Sequence, residues 1–392
     1  MVCITERNNM IKLLKNCDIY APEHLGMRNV LIIGGKIGAV TEDLGSMEQI
    51  PGIEVFDLKG QVTCPGFIDI HVHITGGGGE NGPASRTPEL QLTDFTRNGV
   101  TTVVGLLGTD GISRSVENLL FKARALEEDG ITTFILTGNY RYPSVTITGS
   151  VDKDIAVIDK CIGVKLAVAD HRSSHVSGDE IKRLASEARV AGLLSGKPGL
   201  TVMHMGSDSH RFEDIFNALE NSALPPGNLL PTHCCRSPEL VADAVKFNKM
   251  GGTIDFTADT LQSPGTASVV MSALAQGADP SRITMSSDAG GSQPRFDAAG
   301  NCTGLTYETS EILLGELRRF VCEEGLPLEQ ALAFFTANPA ALLKLQGRKG
   351  CIAEGADADI LVLDENLQVN DLWAKGKTAV RDKELIIKGY FE

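Results

Sequence analysis

His71 and His73 close an apolar, strand-like run, Phe67-Ile-Asp-Ile-His-Val-His73. On a strand, side chains two apart project to the same face. The two imidazoles therefore point together and make a chelate for a divalent metal such as zinc. An HxH pair alone is equally consistent with two hydrogen-bonded histidines at a strand end. Here the loop Gly76-Gly-Gly-Gly-Glu80 follows, and its glycines carry no side chains to block an open site. Further ligand types recur at later apolar runs. Lys165 lies inside one, His204 and His233 end two others, and Asp288 follows a fourth.

Lys165 stands out because a buried lysine is costly unless it is paired or neutral. Pairing with a nearby carboxylate is the plain reading. The sharper one is a carbamate, formed when a desolvated neutral amine adds carbon dioxide. Its two oxygens can bridge two metal ions, one on His71, His73 and Asp288, the other on His204 and His233.

The elements that must place these residues alternate through the middle of the chain. Strand-like runs fall at Phe67–His73, Thr101–Leu107, Thr132–Thr137, Ile162–Val168, Leu200–Met205, Leu229–His233, Thr253–Thr257 and Ile283–Ser287. Amphipathic segments such as Ser115–Asp129, Ser177–Leu194, Pro238–Met250 and Thr266–Gln276 lie between them. Eight βα units in sequence predict an α/β fold, a (β/α)8 TIM barrel, with a doubly wound open sheet as the alternative. In a barrel the C-terminal strand ends converge on one mouth, which brings the candidate ligands together.

Both chain ends read as short strands instead. Gly34-Gly35-Lys36 between apolar runs signals a hairpin. Ala358–Asp364, Leu372–Val380 and Leu385–Gly389 repeat the texture. We expect a small discontinuous β-sandwich-like domain from residues 1–62 and 347–392, around a barrel over 63–346.

Composition narrows the partners. The net charge of −14 disfavours nucleic acid and anionic membrane surfaces. Nine scattered cysteines suit a reducing, cytoplasmic setting. The N-terminal Met1–Asn9 lacks the profile of a signal peptide. No apolar run is long enough to span a membrane.

Taken together, HxH on the first strand, Lys on the fourth, His on the fifth and sixth and Asp on the eighth resemble the amidohydrolase superfamily. The Gly-Ala-Asp-Ala-Asp-Ile-Leu-Val-Leu run at 355–363 fits it too. Within it the chain resembles the isoaspartyl (β-aspartyl) dipeptidases along essentially its whole length. The segments that carry this are His71–Glu80, Val104–Asp110, Leu136–Tyr140, Ile147–Val151, Ala169-Asp-His-Arg172-Ser and Ser287–Pro294. The resemblance implies a small-molecule substrate, a homo-oligomer, and two zinc ions bridged by carboxylated Lys165. It implies that Glu80 holds the substrate α-amino group and that Tyr140 polarises the scissile carbonyl. Gly78, Thr109 and Ser292 would position the substrate, and Asp288 would shuttle the proton for hydroxide attack. Tyr142, two residues on, competes with Tyr140.

A β-aspartyl dipeptide carries one ammonium and two carboxylates, so its site needs an anion and a cationic clamp. Glu80, Arg172 and Arg236 supply these, arginine because it binds carboxylates bidentately. Which arginine takes which carboxylate stays open. Cys234 and Cys235 read as small buried residues rather than thiolate ligands. His24, His171, His175 and His210 read as loop or surface residues, and no Gly-x-Ser-x-Gly elbow is present. A cyclic-amide hydrolase of the dihydropyrimidinase or hydantoinase type would use the same metals. A non-catalytic scaffold on this fold is the alternative of a different class.

Overall fold

The structure, a computed structural model, describes residues 11–259, 265–296 and 302–392. The stretch Met1–Asn9 therefore lies outside the described residues. All eight expected strands form: Phe67–Val72, Val100–Gly105, Thr132–Gly138, Cys161–Val168, Leu200–Met205, Leu229–Thr232, Ile254–Thr257 and Ile283–Ser286. Every residue in them is buried except Phe134, as expected of parallel strands covered on both faces.

The first six strands pair in sequence order as one parallel sheet, and the last two pair with each other. The ladders are thus six and two rather than one continuous ring. The sixth, seventh and eighth strands are only four residues long, which limits the hydrogen bonds they can share. The sheet nonetheless curls. Cys234 N–H donates to Asp255 O, and beyond the eighth strand Asp288 N–H donates to His71 O at 3.1 Å. His73 N–H donates to Ala289 O at 2.8 Å. These bonds bring the ends of the first and eighth strands side by side.

Helices return the chain between strands. Gly178–Ser195 shows the local logic. Ser177 caps it by accepting from Glu180 N–H, and the Glu180 side chain accepts from Ser177 N–H. Such a cap contributes about 1 kcal/mol. Ile181, Leu184, Ala185 and Ala188 are buried in the main hydrophobic core.

The chain ends meet in a separate nine-stranded sheet. Val62–Pro65, from the N-terminal part, pairs antiparallel with Ile360–Leu363 from the C-terminal part, with Ile360 opposite Pro65. The expected hairpin joins His24–Ile33 to Lys36–Thr41. Gly34 and Gly35 have φ of 55° and 88°, as a two-residue turn of this hand requires. Trp373, Phe56, Leu14 and Ile360 are among the side chains of this domain's own core. Among the described residues no helix is long and apolar enough to cross a membrane.

Candidate metal and substrate site

The alternation of the first strand sends Asp69, His71 and His73 to one face, and all three are buried. His71 Nε2 lies 3.4 Å from Asp288 Oδ1, and His73 Nε2 lies 3.1 Å from the same oxygen. The His233 ring sits 4.9 Å from that of His71 and 4.5 Å from that of His204. His233 and Asp288 both hold a left-handed backbone, φ 62° and 54°. That conformation is uncommon outside glycine and persists where the surroundings fix it.

Burial holds the His71, His204 and His233 imidazoles well below their usual pKa, and neighbouring cations push the same way. The shift favours the neutral ring, the form that ligates metal. Ligand atoms of His71, His233 and Asp288 lie within 4.8 Å of one another. This trio cuts across the two ligand sets expected from sequence, so the donors form one continuous cluster.

Lys165 is fully buried. Its Nζ contacts His71 Nε2 at 3.1 Å. Among the described residues no carboxylate lies within ion-pair distance of it. Burial lowers its pKa to about 7, against the opposing pull of Asp288 and Asp255. A neutral amine at this position is the species that a carbamate requires.

The residues fit a metal. Buried His233 Nε2 has no hydrogen-bond partner, and the two imidazole nitrogens near Asp288 Oδ1 make no hydrogen bond to it, a costly state for polar atoms unless a ligand meets them. The outer nitrogen of His233 is already oriented, since Nδ1 bonds Thr257 Oγ1 at 2.6 Å. Such a bond fixes which nitrogen is left to ligate.

The candidate substrate groups gather beside this cluster. Glu80 receives Thr109 Oγ1 at 3.0 Å, Ser292 Oγ at 3.1 Å and Arg172 Nη1 at 3.3 Å. Gly78 has φ 72°, and a Cβ there would lie 2.4 Å from Ser85 O, so only glycine suits this loop. Tyr140 is buried, with its hydroxyl 2.6 Å from His204 Nδ1. Burial raises its pKa strongly, which keeps the phenol a donor. Tyr142 is only partly buried and packs against the apolar core, while its N–H bonds Ser174 Oγ. The geometry therefore places Tyr140, not Tyr142, against the candidate ligands. Cys234 and Cys235 are buried, and burial pushes both thiols up in pKa, away from thiolate.

Sequence reasoning missed several partners. Asp170 accepts from Arg172 Nε and Nη2, both at 2.9 Å, and lies 3.0 Å from His204 Nε2. Burial opposes its ionisation, but these donors outweigh burial and hold its pKa far below the carboxylate range. Arg236 Nη1 is 3.9 Å from Asp170 and 3.3 Å from His204 Nε2. The charge count is therefore two carboxylates and two guanidinium groups, not one and two. Asp69 receives Ser287 N–H at 3.1 Å and the Ser287 hydroxyl. It thus stitches the first strand to the residue before Asp288. Asp255 collects hydroxyls of Thr232, Thr284 and Ser286 across the sixth, seventh and eighth strands. Burial raises these two acids to about 6 and about 7. Arg114, also buried, donates to the carbonyls of Thr75, Gly77 and Thr87 beneath the glycine loop. Asp69 could have been found from its spacing of two before His71. Arg114 left no such signal.

Comparison with known proteins agrees with this geometry. Residues 62–389 match the model of the amidohydrolase family. The β-aspartyl dipeptidase of the thermophilic, keratin-degrading Fervidobacterium islandicum AW-1, solved in complex with β-Asp-Leu, is 43% identical. That match covers 96% of this chain and 98% of that one, with a TM-score of 0.89. The dihydropyrimidinase of Brevibacillus agri NCHU1002 is 17% identical over 97% of both chains, with a TM-score of 0.68, a likeness of fold alone. The dihydroorotase of Staphylococcus aureus (strain MRSA252) is 33% identical over 108 residues, so the match spans about a quarter of that curated relative, 24%. The donor cluster, the family match and the whole-length likeness converge: the chain belongs to the amidohydrolase family, on the branch that holds the F. islandicum β-aspartyl dipeptidase.

Proposed function

We propose that the protein is a dipeptidase that hydrolyses the β-aspartyl (isoaspartyl) bond of small peptides. The observation that carries this is Glu80 and Arg172, an anion and a cation 3.3 Å apart, the cation also 3.3 Å from His204 Nε2. That pair suits the ammonium and carboxylate of a free aspartyl end, and the similar F. islandicum protein was solved with such a dipeptide.

On this reading His71, His73, Lys165, His204, His233 and Asp288 hold two zinc ions, with Lys165 carboxylated. Bound divalent ions supply an acidified water that is nucleophilic at neutral pH. Asp288 takes the proton from the attacking water at its carboxylate and returns it to the leaving amine nitrogen. Tyr140 donates a hydrogen bond from its hydroxyl to the carbonyl oxygen as negative charge develops there, and keeps its proton. Glu80 receives the substrate ammonium, helped by Thr109, Ser292 and the Gly78 loop. Arg172 and Arg236 receive carboxylates. The six- and two-stranded ladders form one (β/α)8 barrel over 63–346, set against a β domain from 1–62 and 347–392. We also propose that the protein is a homo-oligomer and that it works in the cytoplasm, a reducing setting that suits the seven free cysteines among the described residues.

The test is an assay of metal-replete protein on β-Asp-Leu and on dihydrouracil. We expect turnover of the dipeptide and little of the ring amide. Preference for dihydrouracil would replace this reading with a cyclic-amide hydrolase, and no turnover of either by metal-loaded protein would favour a scaffold.

A further inference from the structure

Asp170 occupies a place that neither a metal ligand nor a substrate contact explains. It follows the fourth strand, and its carboxylate is buried. Oδ1 accepts from the Arg172 backbone N–H at 2.8 Å and from Arg172 Nε at 2.9 Å. Oδ2 accepts from Arg172 Nη2 at 2.9 Å. The carboxylate thus grips one edge of the guanidinium side-on, the bidentate geometry that fixes an arginine most firmly. The other edge, Nη1, is turned toward Glu80.

The same Oδ2 lies 3.0 Å from His204 Nε2. Arg172 Nη2 and Arg236 Nη1, which can only donate, each lie 3.3 Å from the same Nε2. The carboxylate contact is the shorter, and an ionised carboxylate can only accept, so we assign the ring proton to Nε2. Nδ1 is then the acceptor, and the Tyr140 hydroxyl donates to it at 2.6 Å. A proton chain runs Tyr140 to His204 to Asp170, with the ligating lone pair on Nδ1. One carboxylate decides both which nitrogen of His204 can ligate and which edge of Arg172 can meet a substrate.

We propose that Asp170 is a positioning residue that couples the metal ligand His204 to the carboxylate clamp Arg172. The inference rests on the proposed function for its substrate half, and on geometry alone for its metal half. When His204 ligates through Nδ1, Tyr140 loses its acceptor there and is free to donate to a substrate carbonyl. Asp170 thereby also releases Tyr140 for its role, without touching substrate itself.

The test is a cycle of Asp170→Asn, Arg172→Met and the double variant in the full-length protein. Zinc affinity is read by chelator competition, and KM and kcat are read on β-Asp-Leu. Asparagine keeps the shape but replaces one acceptor oxygen with a donor. Removing an outer partner of a ligating histidine typically costs roughly 10–100-fold in metal affinity. We expect Asp170→Asn to weaken zinc binding by that factor and to raise KM. Arg172→Met should raise KM and leave zinc affinity within a few-fold of the parent. In the Arg172→Met background, Asp170→Asn should raise KM no further while still weakening zinc binding. Additive effects on KM, or parent-like zinc affinity in Asp170→Asn, overturn the proposal.

A second measurement needs no variant, should Asp170→Asn fail to fold. A crystal structure of the zinc-loaded parent should show His204 ligating through Nδ1 with Nε2 still on Asp170. Ligation through Nε2, with Asp170 displaced, overturns the coupling. If β-Asp-Leu is not a substrate, the functional reading fails, while zinc affinity and ligation geometry still judge Asp170.

Discussion

Glu80 and Arg172 stand 3.3 Å apart, each also held from behind, Glu80 by Thr109 and Ser292 and Arg172 by Asp170. The pair answers its own charge before any ligand arrives. A ligand with only a carboxylate, or only an ammonium, would break this contact and leave the other member only its hold from behind. A zwitterion replaces it with two new contacts.

Glu80→Gln and Arg172→Met should therefore both weaken β-Asp-Leu. A hydrogen bond to a charged group contributes roughly 1.5–3 kcal/mol, so kcat/KM should fall about 10- to 150-fold. Glu80→Gln should spare the desamino analogue, succinyl-leucine, whereas Arg172→Met should not. Parent enzyme that turns over the analogue as fast as the dipeptide would refute the ammonium assignment.

Lys165→Ala should lose most activity and much of the bound zinc, because it removes the proposed bridging group. Full activity in this variant would sink the carbamate.

The pH dependence of reconstitution tests the same residue without mutation. Carbon dioxide adds only to a neutral amine, and burial lowers the Lys165 pKa to about 7. At fixed dissolved carbon dioxide, reactivation of metal-stripped protein by zinc should be fast above pH 7. It should slow as pH falls below 7 and the ammonium form accumulates. A rate indifferent to both carbon dioxide and pH between 6 and 8 would speak against a neutral Lys165.

Arg114→Met should disturb the glycine loop from beneath. Three carbonyls lose their donor, and one buried unsatisfied acceptor costs about 1–3 kcal/mol. Thermal unfolding should shift down and KM should rise, with bound zinc unchanged, since Arg114 meets no candidate ligand. Parent-like unfolding and KM together would show that the loop holds itself.

What the sequence made legible follows from locality. His71, His73, His204 and His233 each end an apolar run, so strand and candidate ligand could be read from the same few residues. The hairpin at Gly34-Gly35 is equally local. The division of the parallel strands into six and two depends on how four-residue strands share hydrogen bonds around a curve, which no local pattern encodes. Asp170 lies in a segment that marks the family, and its grip on Arg172, two residues on, is local. Its contact with His204 exists only once the fourth and fifth strands lie side by side. Arg114 sits in a loop without periodicity, and its carbonyl partners come from a turn 27 to 39 residues away.

The most direct measurement is a zinc titration of metal-stripped, carbon dioxide-equilibrated protein, with hydrolysis of β-Asp-Leu and of α-linked Asp-Leu followed at each step. The account predicts that β-Asp-Leu hydrolysis rises with added zinc and levels off at about two ions per chain, the number a bridged site holds, with α-linked Asp-Leu left far behind. Full β-Asp-Leu hydrolysis by metal-free protein, or none at any zinc loading, would contradict it.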